Sequence, residues 1–139
     1  MRIPQVVIDT NVLVAALRSN RGASHRLIRL VDSGKFKLNL SVPLVFEYEA
    51  AAKRSTPLSS HDIESIIDYM CSVGQPKKIY YLWRPLLKDP KDDMVLELAV
   101  TAECDAIITH NGSDFREARE FDIQVLTPRE FLRNIGGLP

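Results

Sequence analysis

Cysteine is scarce in this 139-residue chain: there are two, Cys71 and Cys104, and neither belongs to a Cys or His pair with metal-site spacing. That excludes a disulfide framework and a thiolate zinc centre, and it fits a reducing, cytoplasmic setting. No apolar run approaches the ~20 residues needed to cross a bilayer, and Met1-Arg2-Ile3-Pro4 lacks the apolar core of a secretory leader. No membrane partner is expected. Net charge is missing too, with 18 basic residues against 18 acidic ones. This excludes a surface that coats DNA through bulk positive charge, while leaving room for local basic patches. Neither the Gly-x-Gly-x-x-Gly turn nor the Gly-Lys-Ser/Thr loop occurs, which argues against a nucleotide-binding or small-molecule phosphohydrolase domain. Nor is there a repeat, a low-complexity tract or a linker. With 45% hydrophobic and 26% charged residues, the composition is that of one globular domain over 1–139, long enough to bury a core.

What is present begins with Val6-Val7-Ile8, a β-branched run that reads as a buried strand and ends abruptly in Asp9-Thr10-Asn11. Val12, Leu13, Val14 and Leu17 then follow a helical rhythm. A helix is expected from Ala23 to Val31, a strand from Lys37 to Val42, and a helix from Leu44 to Arg54 entered through Ser41 and Pro43. Ser59 opens a further helix with Ile63, Ile66, Ile67 and Met70 on one face, and Gly74-Gln75-Pro76 breaks the chain. Ile79–Leu82 reads as a short extended piece, Lys91–Glu103 as a helix, Ala106–Thr109 as a second buried strand and Ile123–Leu126 as a last strand. Thr127 and Pro128 open a terminal helix, and Cys71 and Cys104 read as small core residues on helices. Strands alternating with helices imply parallel crossovers and an α/β fold, a three-layer α/β/α sandwich with a central, mainly parallel sheet.

In such a sheet the strands ending at Asp9 and Thr109 discharge on one side, where ligands bind. Acids near predicted strand ends and helix starts are therefore candidates to converge: Asp9, Glu47, Asp92 or Asp93, and Asp114 in the loop after Thr109. Glu47 has Leu44 at i−3 and Ala51 at i+4, so it borders the apolar stripe of its helix. Glu49 lies about 200° further round and faces solvent. Asp93 has the same inward geometry, with Leu96 at i+3, whereas Asp92 reads as a helix cap. Inward acids are expensive unless paired or holding a cation. No Lys or Arg is read as neutralising them, so a hard divalent ion, Mg2+ or Mn2+, is the expected solution. An ion of that kind suits hydrolysis of a phosphodiester by an activated water.

These stretches resemble the PIN-domain ribonucleases, and more narrowly the branch of toxins from toxin–antitoxin pairs. The similarity is carried by Val7-Ile8-Asp9-Thr10-Asn11-Val12-Leu13-Val14, Pro43-Leu44-Val45-Phe46-Glu47-Tyr48-Glu49, Asp89 to Ala99, Ala106 to Phe115, and Val125 to Leu132. Any one of these motifs is weak; together, in order, they cover nearly the whole chain. The resemblance implies an acidic metal-binding quartet at Asp9, Glu47, Asp93 and Asp114, with Asn11, Thr109 and Asn111 in support. Asp93 is preferred to Asp92 by its distance to Ala99, and Asn111 stands where some members carry an acid. It further implies Mg2+- or Mn2+-dependent cleavage of single-stranded RNA, a homodimer, and neutralisation by a partner antitoxin.

Each of these residues also has a plainer role. Asp9 and Asn11 cap helices well, Asp92 and Asp93 suit the positive end of a helix dipole, and Asp114 is an ordinary loop acid. In the metal-binding reading, Thr10 or Asn11 takes over the cap and frees Asp9. The segment from Thr10 through Val31 has no acid but carries Arg18, Arg21, Arg26 and Arg29. It is either a solvated face or a patch for RNA phosphates, with Arg18 and Arg21 nearest the site. His25, His61 and His110 read as surface or capping residues, with His110 near enough for a minor substrate contact. A non-catalytic module that docks RNA or a protein is the rival to the nuclease, and metal binding separates the two.

Overall fold

The apolar run before Asp9 becomes the middle of the sheet. The computed structural model describes residues 2–78, 87 and 89–137; the extended piece expected at Ile79–Leu82 lies outside them. Strand β1 (Gln5–Ile8) is fully buried at Val6, Val7 and Ile8, as a strand covered on both faces must be. It pairs in parallel with β2 (Lys37–Leu40) on one side and with β4 (Ala106–Ile108) on the other. Adding β3 (Gln75–Pro76) and β5 (Gln124–Leu126) gives an all-parallel sheet in the order β3-β2-β1-β4-β5.

The chain steps outward from β1 to β3, then returns to the other side of β1 for β4 and β5. The order therefore reverses between β1 and β4. A crevice opens beyond the carboxyl ends of the strands at such a point. The peptide N–H of Asp9 donates to Ile108 O at 2.9 Å, so the first residue past β1 is tied to the end of β4.

Among the described residues six α-helices accompany the sheet: α1 (Thr10–Arg18), α2 (Ala23–Arg29), α3 (Val42–Ser55), α4 (Ser60–Val73), α5 (Pro90–Thr101) and α6 (Pro128–Asn134). α5 packs directly on β1, β2 and β4, while α1 packs on α2 and α3, α3 on α4, and α2 on α6. The starts follow local chemistry. Ser41 Oγ accepts from Leu44 N at 3.3 Å with Pro43 in the first turn of α3, and Thr127 and Glu130 form a reciprocal capping box on α6.

Three expectations are corrected. Gly74-Gln75-Pro76 is not only a break but contains β3, which pairs with Asn39 and Leu40. A Cβ at Gly74 would lie 2.7 Å from Leu40 Cδ1 and 2.9 Å from the rigid Met70 carbonyl, so glycine fits where α4 ends against β2. Pro76 is tolerated because an edge strand needs no donor on its outer side. The loop holding Asp114 is a 3-10 segment, Gly112–Phe121, kinked at Phe115, whose buried ring and Ala118 anchor it to the core at a spacing of three. Cys71 is exposed; only Cys104 is a buried thiol. Among the described residues no helix is long and apolar enough to cross a membrane.

One buried polar contact fixes α3 to the strand that leads into the crevice. The Tyr48 hydroxyl donates to Ile8 O, and burial, helped by nearby Asp9, pushes the phenol well above its ordinary range. Tyr48→Phe strips a buried carbonyl of its donor and should destabilise the fold by about 1–3 kcal/mol. Urea unfolding reads this as a lower midpoint at unchanged slope.

Candidate active site

Asp9 is the best-fixed residue of the crevice. It caps α1 with Oδ1 accepting from Thr10 N at 2.8 Å, while Oδ2 accepts from Thr109 Oγ at 2.7 Å. The cap thus falls to Asp9 itself, not to Thr10 or Asn11 as expected. Burial raises its pKa first of all; the Thr109 and Thr10 bonds pull the other way, and Asp114 raises it again. Thr109 is wholly buried and also accepts from Asn111 N at 3.0 Å. Asn11 Oδ1 accepts from His110 N at 3.3 Å, joining the start of α1 to the segment beyond β4. His110 meets Ser24 Oγ through Nε2 at 2.8 Å.

Around Asp9 lies an open cleft of about 450 Å³, lined among others by Asn11, Glu47, Asp89, Asp92, Asn111 and Asp114, and also by Arg18. Three placements differ from expectation. Asp93 does not line this cleft: it is buried, and Oδ1 accepts from Leu87 N at 3.0 Å. Successive residues of a helix point about 100° apart, so Asp92 and Asp93 cannot share a face, and Asp92 is the one turned to the cleft. Nor is Asp92 the cap of α5. Asp89 fills that place, with its side chain accepting from Lys91 N at 2.9 Å. Arg21 lies outside the lining. Thr109, named as a supporting residue, stands behind Asp9 and donates to it.

Glu47 also departs from the sequence reading. Lys91 Nζ is 3.5 Å and Arg54 is 3.7 Å from Glu47 Oε1. Cations do stand among the acids, contrary to expectation. Lys91 sits inside the Asp89–Asp93 motif itself. Arg54 lies seven residues beyond Glu47, two helical turns along the same face of α3; that spacing was the available signal.

The remaining acids are not so balanced. Burial, then Asp9, Asp89, Asp114 and Asp93, push the Asp92 carboxyl up to about 7. Among the described residues no group of three or more acidic, His or Cys side chains forms a ready-made metal cage. The donor set facing the cleft is nonetheless all oxygen, carboxylates with two amides, which suits Mg2+ or Mn2+ and not zinc. A divalent ion is the counter-charge that crowded carboxylates call for, and the residues fit one.

Residues 5–113 match the family model described as PIN domain, and the chain belongs to that family. No curated protein sequence matches it. In fold it is similar to a chain of VapBC2 from Rickettsia felis, solved bound to a DNA fragment from their promoter. The TM-score is 0.62 at 13% identity, with 87% of this chain and 98% of that chain covered.

The crowding has a measurable sign. Because the folded Asp92 pKa is raised, to about 7, the protein is penalised fully above that pH, and the penalty fades toward about pH 4, where the unfolded chain also takes up its proton. Asp92→Asn should therefore raise the melting temperature near pH 8 and make little difference near pH 4. Adding Mn2+ should stabilise the wild type more than the variant. Thermal melts at both pH values, with and without Mn2+, check this.

Proposed function

We propose that the chain is a Mg2+- or Mn2+-dependent endoribonuclease that hydrolyses single-stranded RNA, acting in the cytoplasm as the toxin of a toxin–antitoxin pair. The observation that carries this reading is the meeting of Asp9, Asp92 and Asp114 in one open cleft beyond β1 and β4. Asp9, Glu47, Asp92 and Asp114 would hold the ion, with Asp92 in the place that spacing alone gave to Asp93. When bound, the ion lowers the pKa of a water and offsets charge on the phosphodiester.

The chain's own residues do the rest. Thr109 and the Thr10 peptide N–H fix both oxygens of Asp9, so its carboxylate does not reorganise during reaction. Asp114 lies exposed on its 3-10 turn and orients the attacking water. Asn11 and Asn111 offer neutral amides that support the carboxylates. Arg18, Lys91 and Arg54 supply positive charge where a phosphodiester must approach a wall of acids, and Arg21 continues that charge outside the cleft. A protein antitoxin fits the likeness to a VapBC2 chain; a homodimer rests on the family resemblance alone.

A second reading is a PIN-like module that binds RNA or a protein without cutting. Its specific support is the pairing of Glu47 with Lys91 and Arg54, which leaves that acid satisfied without an ion. Calorimetry with Mn2+ and cleavage of a labelled single-stranded RNA separate the readings. For the nuclease, Mn2+ binds, EDTA stops cleavage, and Asp9→Asn abolishes it while the fold survives. Thr109→Val should cost about 10–100-fold in metal affinity or rate through lost orientation of Asp9. No Mn2+ binding and no cleavage leaves the module, whereas full activity of Asp9→Asn overturns the role given to Asp9.

A further inference from the structure

A second cleft, of about 580 Å³, opens between α2 and the start of α6 and is lined by Arg21, Arg26, Arg29 and Arg129 together with His25. No acid contributes to its lining. Among the described residues none of these four arginines forms an ion pair, in contrast to Lys53, Arg54 and Lys91. The nearest acids in sequence are engaged elsewhere. Asp32 accepts from the Tyr69 hydroxyl, and Glu130 accepts from Thr127 N in the capping box. Arg26 has a structural task as well, since Nε donates to Gly137 O. Arg21, Arg29 and Arg129 are exposed. Like charges gathered in a concave surface focus a positive potential that favours an anion, and guanidinium groups match phosphate oxygens in pairs.

This cleft is related to the carboxylate cleft through lining residues that each shares with a third groove. Arg18 lines both the carboxylate cleft and an intervening groove of about 760 Å³, and Arg21, His25 and Arg29 line both that groove and the arginine cleft. Between them the groove offers apolar side chains and Tyr69, a surface on which bases can rest while phosphates follow the arginines.

We propose that the cleft of Arg21, Arg29 and Arg129 is a second anion site that grips the phosphodiester backbone of an RNA strand whose scissile bond lies in the carboxylate cleft. The inference rests on the ribonuclease reading and extends it: the enzyme holds a strand at two places, one chemical and one purely electrostatic. Affinity then depends on strand length, because a short oligonucleotide reaches only one of them.

The test measures binding rather than turnover. Fluorescein-labelled oligouridylates of about 4 and about 12 nucleotides, spanning common single-strand site sizes, are titrated with the full chain in EDTA, and anisotropy is followed at several salt concentrations. Arg29→Ala/Arg129→Ala should weaken the long strand roughly tenfold and lower the slope of log K against log salt by about 1.4, two phosphate contacts at about 0.7 each. The short strand, which cannot span both sites, should bind weakly to wild type and variant alike. Arg29→Lys/Arg129→Lys should restore the salt slope, and an unchanged melting temperature shows that the alanine variant is folded. If the alanine variant binds the long strand like wild type while Arg18→Ala weakens it, the second site is overturned and the RNA reading stands. If wild type binds neither strand, the second site is overturned, and the ribonuclease reading, whose metal EDTA removes, is decided by the cleavage assay. If the alanine variant keeps RNA affinity but loses affinity for poly-glutamate, the cleft is a protein-docking surface and the proposal is overturned.

Discussion

The hydrogen bond from Thr109 to Asp9 is the contact on which the rest of the crevice depends. It joins the first residue beyond β1 to the first residue beyond β4, a separation of 100 positions in the chain, at the point where the strand order reverses. Because Thr109 is wholly buried, the bond forms away from competing water and holds a carboxylate that burial alone would drive toward its neutral form. The backbone hydrogen bonds nearby, from Asp9 N to Ile108 O and from Thr109 N to Leu126 O, make the same junction from the main-chain side. Three strands are thereby locked in register beneath one acid.

From that fixed acid outward the site becomes looser and more charged. Asp92 stands on the first turn of α5 and feels its neighbours strongly, whereas Asp114 sits exposed on a short 3-10 turn. Glu47 is held by cations from two elements, α3 and α5. Opposite charges thus sit side by side across the cleft: some acids are compensated by protein, and others are left to something that binds. A site built this way costs stability when empty and recovers it on loading.

The sheet was legible because its signals are strong and local. Val6–Ile8 and Ala106–Ile108 could hardly be anything but buried strands, and Ser41-Val42-Pro43 and Thr127-Pro128 carry their helix starts openly. The candidate site was legible as a set of places but not in every residue. Choosing between Asp92 and Asp93 requires the rotation of α5, and its nearly all-round burial removes the amphipathic stripe that would reveal it. The two-residue β3 has no periodicity to read, and its pairing with Asn39 and Leu40 arises only in the tertiary structure. The 3-10 turn under Asp114 depends on where the buried Phe115 ring docks, a tertiary fact. The pairing of Arg54 with Glu47 was open to the sequence, since the helix over Leu44–Arg54 was read and seven residues are two of its turns, but Glu47 was weighed only against its apolar neighbours.

The segment from Thr10 through Val31 has no acid, whereas carboxylates crowd the mouth of the sheet, so a chain of zero net charge is a charge-separated one. Such a molecule exerts no net pull on a distant polyanion but experiences a torque near it. Within the Debye length, about 8 Å at physiological ionic strength, a polyanion drawn close would turn the protein before touching it. Added salt then erodes the fraction of encounters that arrive in register, not only the strength of the bound state.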